Sequence, residues 1–142
     1  MEGIQRGLGM DRALFALLAQ DKKSMKEKLS LGWRKEYYDQ KIIFSISQSP
    51  LNIFSQALRN PQGLMVSGAS DGVLFTDADK RVIGQHDCFL MPVCSGEQPI
   101  GLIYSDRSFS QQPFTDDDFN GFKHFVQQAN IGLAMYRMQG KK

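Results

Sequence analysis

The chain has 142 residues, of which 42% are hydrophobic and 23% charged, and its net charge is +2. That balance fits one globular domain with a single substantial core and gives no global pull toward a polyanion. No apolar run approaches the ~20 residues needed to cross a bilayer, and no charged-then-apolar leader opens the chain, so a cytoplasmic protein is expected.

The segment Met1-Glu2-Gly3-Ile4-Gln5-Arg6-Gly7-Leu8-Gly9 has apolar residues at helical spacing but no N-cap, and three glycines weaken it. It reads as the tail of a helix that begins upstream. A piece of a longer multidomain protein is expected, with residues 1–142 forming one domain and Met1 an added start. Met10 to Leu18 is a compact apolar run and a candidate central strand. A turn over residues 19–23 leads into Ser24–Leu31, where Met25, Leu29 and Leu31 are expected to face inward. Ser24, Lys26, Lys28 and Ser30 are expected to face water. The lysines at 22, 23, 26 and 28, interleaved with Asp21 and Glu27, read as a solvated strand edge rather than a nucleic-acid surface.

Residues 32–40, with Trp33, Tyr37 and Tyr38, read as a loop, and Ile42 to Ile46 as a short strand. Ser49-Pro50 is expected to cap a helix carrying Leu51, Phe54 and Leu58, since Pro lacks an N–H that the first helical position leaves unpaired anyway. Asn60-Pro61-Gln62-Gly63 stops it. Residues 63–79 read as short elements and loop. Cys88-Phe89-Leu90-Met91-Pro92-Val93-Cys94 and Pro99-Ile100-Gly101-Leu102-Ile103-Tyr104 flank a polar turn with Gly96, which predicts a β-hairpin. Both arms are apolar at nearly every position, so both faces should be covered and the arms should lie mid-sheet. Thr115-Asp116-Asp117-Asp118 opens the last helix, with Thr as cap and carboxylates at the positive end of the helix dipole. Its stripe runs through Phe119, Phe122, Phe125/Val126, Ala129, Leu133 and Tyr136. The expected class is α+β, a mostly antiparallel central sheet flanked by helices. Residues 10–18, 88–95 and 99–105 are its expected central strands, and residues 115–138 the helix across one face.

The hairpin resembles the central hairpin of GAF domains, in which a Pro-ending apolar strand, a turn and a Gly-Leu-Ile-Tyr-type strand follow one another. Gly7 to Leu18, Pro99 to Arg107 and Phe114 to Ala134 resemble the GAF-like domains C-terminal to HDOD domains in bacterial signalling proteins. The resemblance spans nearly the whole chain, and its motifs report a fold rather than a chemistry. It implies a non-catalytic sensory or regulatory module with an apolar pocket for an unknown small ligand. It also implies an upstream partner domain, of the HDOD type in the resembled proteins, and a homodimer through terminal helices. A ligand-free dimerisation scaffold is the competing reading. The Asn-Lys-Phe-Asp-Glu motif of cyclic-nucleotide-binding members is missing. His86-Asp87-Cys88 reverses the Cys–His order of bilin-binding members.

Trp33, Tyr37, Met65, Phe75, His86, Phe89, Met91 and Tyr104 are the candidate pocket residues, with a pocket centred on Phe75, Phe89, Met91 and Tyr104. Core packing competes with that role for each aromatic and Met, and a plain loop position competes for His86. Arg12 is expected to pair with Asp106, and Asp11 with Arg107, as structural ion pairs. No His-Glu-x-x-His, Cys-x-x-Cys or phosphate-cradling glycine loop is present, and no metal site is expected. His124 lies beside the stripe of the last helix. Cys88 and Cys94 sit six residues apart on one strand, about 20 Å at ~3.3 Å per residue, so they should be free thiols. A free-methionine-sulfoxide reductase, which needs several cysteines, is a remote alternative.

Overall fold

The computed structural model describes residues 9–32, 43–46, 52–69, 71, 75–108 and 113–140, the last twelve as backbone only. Trp33, Tyr37, Ser49, Pro50 and the helix expected near the N-terminus lie outside the described residues, as do the side chains of Ala129, Leu133 and Tyr136. In chain order the elements are β1 (Arg12–Leu18), β2 (Ser24–Leu31), β3 (Ile43–Ser45), α1 (Ile53–Leu58) and β4 (Leu64–Val66). They continue with α2 (Asp77–Ile83), β5 (Cys88–Ser95), β6 (Gln98–Asp106) and α3 (Asp116–Gly140).

The six strands form one antiparallel sheet in the order β3-β2-β1-β6-β5-β4. β1 and β6 are its two middle strands, which is why their sequences are apolar at successive positions. Successive side chains of a strand point to opposite faces, and two cores result. Leu14 and Ala16 of β1 join Leu90, Leu102 and Tyr104 under Ile53, Phe54 and Ala57 of α1 and Ile83 of α2. On the other face, Ala13, Phe89, Met91, Val93 and Ile103 pack with Phe122 and Val126 of α3. The fold is therefore three layers, two short helices over the sheet and one long helix beneath it.

The β5–β6 hairpin closes through Gly96 and Glu97, and Gly96 takes the left-handed conformation (φ 63°) that the sequence's Gly supplies. α3 begins where expected. The Asp118 N–H donates to Thr115 Oγ1 at 3.1 Å, and the Thr115 N–H donates back to Asp118 Oδ2 at 2.9 Å.

Four details differ from expectation. β1 starts at Arg12, and Met10 is buried just ahead of it. In β2, Phe15 faces Leu29 while Ala16 faces Glu27, so Lys28 is an extra residue in a bulge. A bulge shifts the alternation by one. Leu29 and Leu31 therefore share the α3 face with Phe15 and Ala13, opposite Met25, and Ser30 turns inward at 8% exposure. α1 is capped by Asn52, not Ser49: Asn52 Oδ1 accepts from the Ser55 N–H at 3.1 Å and Ser55 Oγ accepts from the Asn52 N–H at 3.1 Å. Finally, residues 77–83 form a helix that starts within the 63–79 stretch expected to be short elements and loop and runs beyond it. Thr76 and Asp79 cap each other reciprocally at 3.1 and 3.2 Å.

The two capping pairs are tied together. Asn52 Nδ2 donates to Asp79 Oδ2 at 3.3 Å and to the Ser45 carbonyl at 2.9 Å, which fixes α1 and α2 to each other and to β3. Burial pushes the Asp79 carboxyl up, against the hydrogen bonds from Thr76 and Asn52.

Candidate functional site

β1 and β6 pair with Arg12 opposite Asp106, so both side chains leave the sheet on the same face. Arg12 Nε donates to both Asp106 oxygens at 3.1 Å, and Nη2 reaches Oδ2 at 2.6 Å. Arg12 Nη2 also donates to the carbonyl of Ile83, the last residue of α2. Asp106 is fully buried and accepts further from the Tyr104 hydroxyl and, at 3.2 Å, from the Ser108 N–H. Burial works against the charge on Arg12, and the Asp106 carboxylate more than offsets it, so the guanidinium is held above its ordinary range. This is the ion pair read from the sequence. It locks β1, β6 and the end of α2, and it leaves the carboxylate surrounded by donors.

Cys88 and Tyr104 lie beside it, and burial pushes both groups well up, with Asp106 adding to the effect. Cys88 is thus a thiol rather than a nucleophilic thiolate. Cys94 is half-buried near the hairpin turn, and burial raises it too. Both cysteines are free. A reductant should therefore leave the melting temperature unchanged. An intact mass lower by a pair of hydrogens than that of the reduced chain would contradict this placement.

The aromatic and Met candidates do not converge. Phe75 and Tyr104 belong to the core under α1 and α2, whereas Phe89 and Met91 belong to the core against α3. The sheet separates the two pairs, because Phe89 and Met91 alternate with Cys88 and Leu90 along β5. A single pocket around all four is therefore overturned. Met65 is exposed on edge strand β4.

A cleft lies elsewhere, at the end of the sheet where three connections meet. It is a half-open cleft of about 440 Å³ lined by Gly68, Ala69, Gln85, His86, Asp87, Arg107 and Phe114. Gly68 and Ala69 follow β4, residues 85–87 join α2 to β5, and Arg107 and Phe114 join β6 to α3. The first two connections are stitched to each other. The Gly68 N–H donates to Asp87 Oδ1 at 2.8 Å, and Gln85 Nε2 donates to the Gly68 carbonyl at 2.6 Å. Gly84 has φ 74°, and a Cβ there would meet His86 Nε2 at 2.5 Å, so this glycine is what lets the imidazole fold back. His86 is half-buried and makes no hydrogen bond among the described residues.

Arg107 forms the third wall. Its Nε donates to the Gly9 carbonyl at 3.2 Å and its Nη1 to the Pro113 carbonyl at 3.1 Å. It pairs with Asp118 in the first turn of α3 at 3.3 Å and lies 5.0 Å from the centre of the Phe114 ring. The backbone hydrogen bond from Thr115 holds the Asp118 carboxyl below its usual range, and Arg107 contributes in the same direction. His86, expected as a pocket residue, and Arg107, expected in a structural ion pair with Asp11, both line this cleft, whereas Gly68, Ala69, Gln85, Asp87 and Phe114 were not among the expected pocket residues. The available signal was Gly68 ahead of Ala69 and Gly84 ahead of the polar run Gln85-His86-Asp87. Asp11 contributes its backbone N–H to the Asp106 carbonyl at 2.9 Å, and the ion pair resolved for Arg107 is with Asp118.

Among the described residues no group of three or more His, Cys, Asp or Glu side chains could hold a metal, and no helix is long and apolar enough to cross a membrane.

A six-stranded antiparallel sheet between two short helices and one long one defines an α+β class of domain. The sequence matches the GAF domain family over residues 1–133, and the chain belongs to that family. GAF domains are sensory and regulatory modules of signalling proteins and are generally non-catalytic. Solved structures agree on the fold. A methyl-accepting chemotaxis protein fragment (residues 122 to 287) superposes with a TM-score of 0.77 at 15% identity, over 99% of this chain and 88% of that one. The GAF-B domain of DevS from Mycobacterium smegmatis gives 0.73 at 16% identity, over 99% and 91%. A GAF domain/HD domain protein from Geobacter sulfurreducens gives 0.72 at 18% identity, over 97% and 90%. A comparison with curated protein sequences finds no match.

Proposed function

We propose that this GAF domain is a non-catalytic regulatory module of a multidomain, cytoplasmic signalling protein, and that it senses a small molecule in the end cleft. One observation carries the reading: Arg107 lines the cleft and at the same time holds Asp118 in the first turn of α3. A ligand that moves Arg107 therefore acts on the start of a 25-residue helix, the element best placed to carry a signal onward. The cleft volume falls within the several-hundred Å³ range of small-molecule sites. The Geobacter neighbour, named as a GAF domain/HD domain protein, supports an HD-related partner domain in the same chain, in line with the HDOD resemblance.

The test is a thermal-shift screen with nucleotides, sugars, amino acids and organic acids. A ligand at a hundredfold excess over Kd should add about 2.7 kcal/mol. The stabilisation should vanish in Ala69→Trp, which fills the cleft from an exposed position. A hit insensitive to Ala69→Trp would place the ligand elsewhere.

A second reading is favoured by Leu17 and Leu29, exposed at 37% and 48% on the same sheet face as α3. This strip suits a homodimer that also uses the terminal helices, the scaffold alternative. Leu29→Asp should convert such a dimer to monomer in sedimentation.

A further inference from the structure

We infer that the end cleft takes a small polar acid, a phosphate- or carboxylate-bearing molecule with hydroxyl donors, whose anionic group competes with Asp118 for Arg107. This rests on the cleft reading above and adds the ligand's chemistry. Three facts point to it. The cleft's only guanidinium among the described residues is Arg107, with a side chain 11% exposed, and its ion-pair partner Asp118 is more open, at 24%. An incoming anion thus replaces a partly solvated carboxylate and needs no new charge in the protein. His86 stands half-buried on the same cleft, makes no hydrogen bond among the described residues and has a ring N–H to donate to an anion.

The opposite wall is of different chemistry. Asp87 spends Oδ1 on the Gly68 N–H, and its Oδ2 is left to accept. Gln85 has a carbonyl oxygen for the same purpose. A bare anion would meet repulsion at Asp87, while an acid carrying hydroxyl groups satisfies both walls. The volume of about 440 Å³ lies in the range of small-molecule sites, room for a monosaccharide-sized body rather than an inorganic ion. Phosphate and carboxylate are both read by a guanidinium, so the head group is the shared feature.

The consequence is mechanical. Arg107 also binds the Gly9 and Pro113 carbonyls, so its displacement loosens the chain where it enters β1 and where it enters α3. A ligand acid is then read at both connections of the domain.

The experiment is calorimetric titration with glucose 6-phosphate, gluconate and glucose, on the unaltered domain and on Asp118→Asn, His86→Ala and Ala69→Trp. At least one of the two acids should bind and glucose should not. Asp118→Asn removes the competitor and should tighten acid binding by about threefold or more, whereas a purely structural role for the Arg107 pair would leave it unchanged. His86→Ala should weaken it by about tenfold, the loss of one charge-assisted hydrogen bond. Stronger binding of glucose 6-phosphate than gluconate assigns a phosphate head, and the reverse a carboxylate. Glucose binding equally well, and blocked by Ala69→Trp, would overturn the acid inference while keeping the cleft. Acid binding indifferent to Asp118→Asn and Ala69→Trp would overturn the inference, and failure of all three sugars to bind would do the same. The reading of the cleft as a ligand site falls only if the wider screen is silent too.

Discussion

Asp106→Asn should cost the domain about 3–5 kcal/mol, the usual result of leaving one member of a buried ion pair without its counter-charge. Asn keeps the shape, removes the charge and turns one acceptor into a donor facing the donors around that site. Arg12 remains with its side chain 11% exposed and its guanidinium against Tyr104 and the Ile83 carbonyl. Urea denaturation should show a lower midpoint with an unchanged m-value, since the native surface is retained. Adding Arg12→Met should restore a large part of the loss, because a paired charge replaced by apolar volume is often near neutral. An Asp106→Asn midpoint equal to that of the unaltered protein would mean that the pair does not lock β1 to β6.

Phe89→Ala should be comparably damaging. Phe89 is fully buried, and its ring centre lies 4.1 Å from Phe114, 5.1 Å from Phe119 and 5.4 Å from Phe122. Removing it opens a cavity between β5 and α3 that the three remaining rings cannot close by small shifts, for about 3–5 kcal/mol. Phe89→Leu refills most of that volume and should cost clearly less. The position is informative because Phe114 joins this cluster to the cleft wall, so Phe89→Ala should also weaken ligand binding. A loss below about 1 kcal/mol would show that α3 is not anchored there.

The sheet was legible because its chemistry is local. β5 and β6 are apolar on both faces, which only mid-sheet strands need be, and Thr115 with Asp118 announces α3 unaided. β2 was misread because a one-residue bulge at Lys28 leaves no mark in composition yet reverses every side chain beyond it. α2 was missed because a seven-residue helix shows too little periodicity, although Thr76 and Asp79 spelled its cap. The cleft was illegible for a different reason. It is built from three connections far apart in sequence, and Gly68 meets Gln85 and Asp87 only after β4 pairs with β5. The assumed pocket failed on a local rule, since Phe89 and Tyr104 could not share a face once β5 and β6 paired Leu90 with Tyr104. The Arg12–Asp106 pair, by contrast, needed only the strand assignment and the alternation of side chains.

The most direct test of the coupling between cleft and α3 is an amide chemical-shift titration of the labelled domain with whichever compound stabilises it most. The account predicts that the amides of Gly68, His86 and Arg107 shift together with those of Asp116, Asp117 and Asp118, all fitting one Kd. Shifts confined to Phe75, Tyr104 and their neighbours, or a cleft response with the first turn of α3 silent, would contradict it.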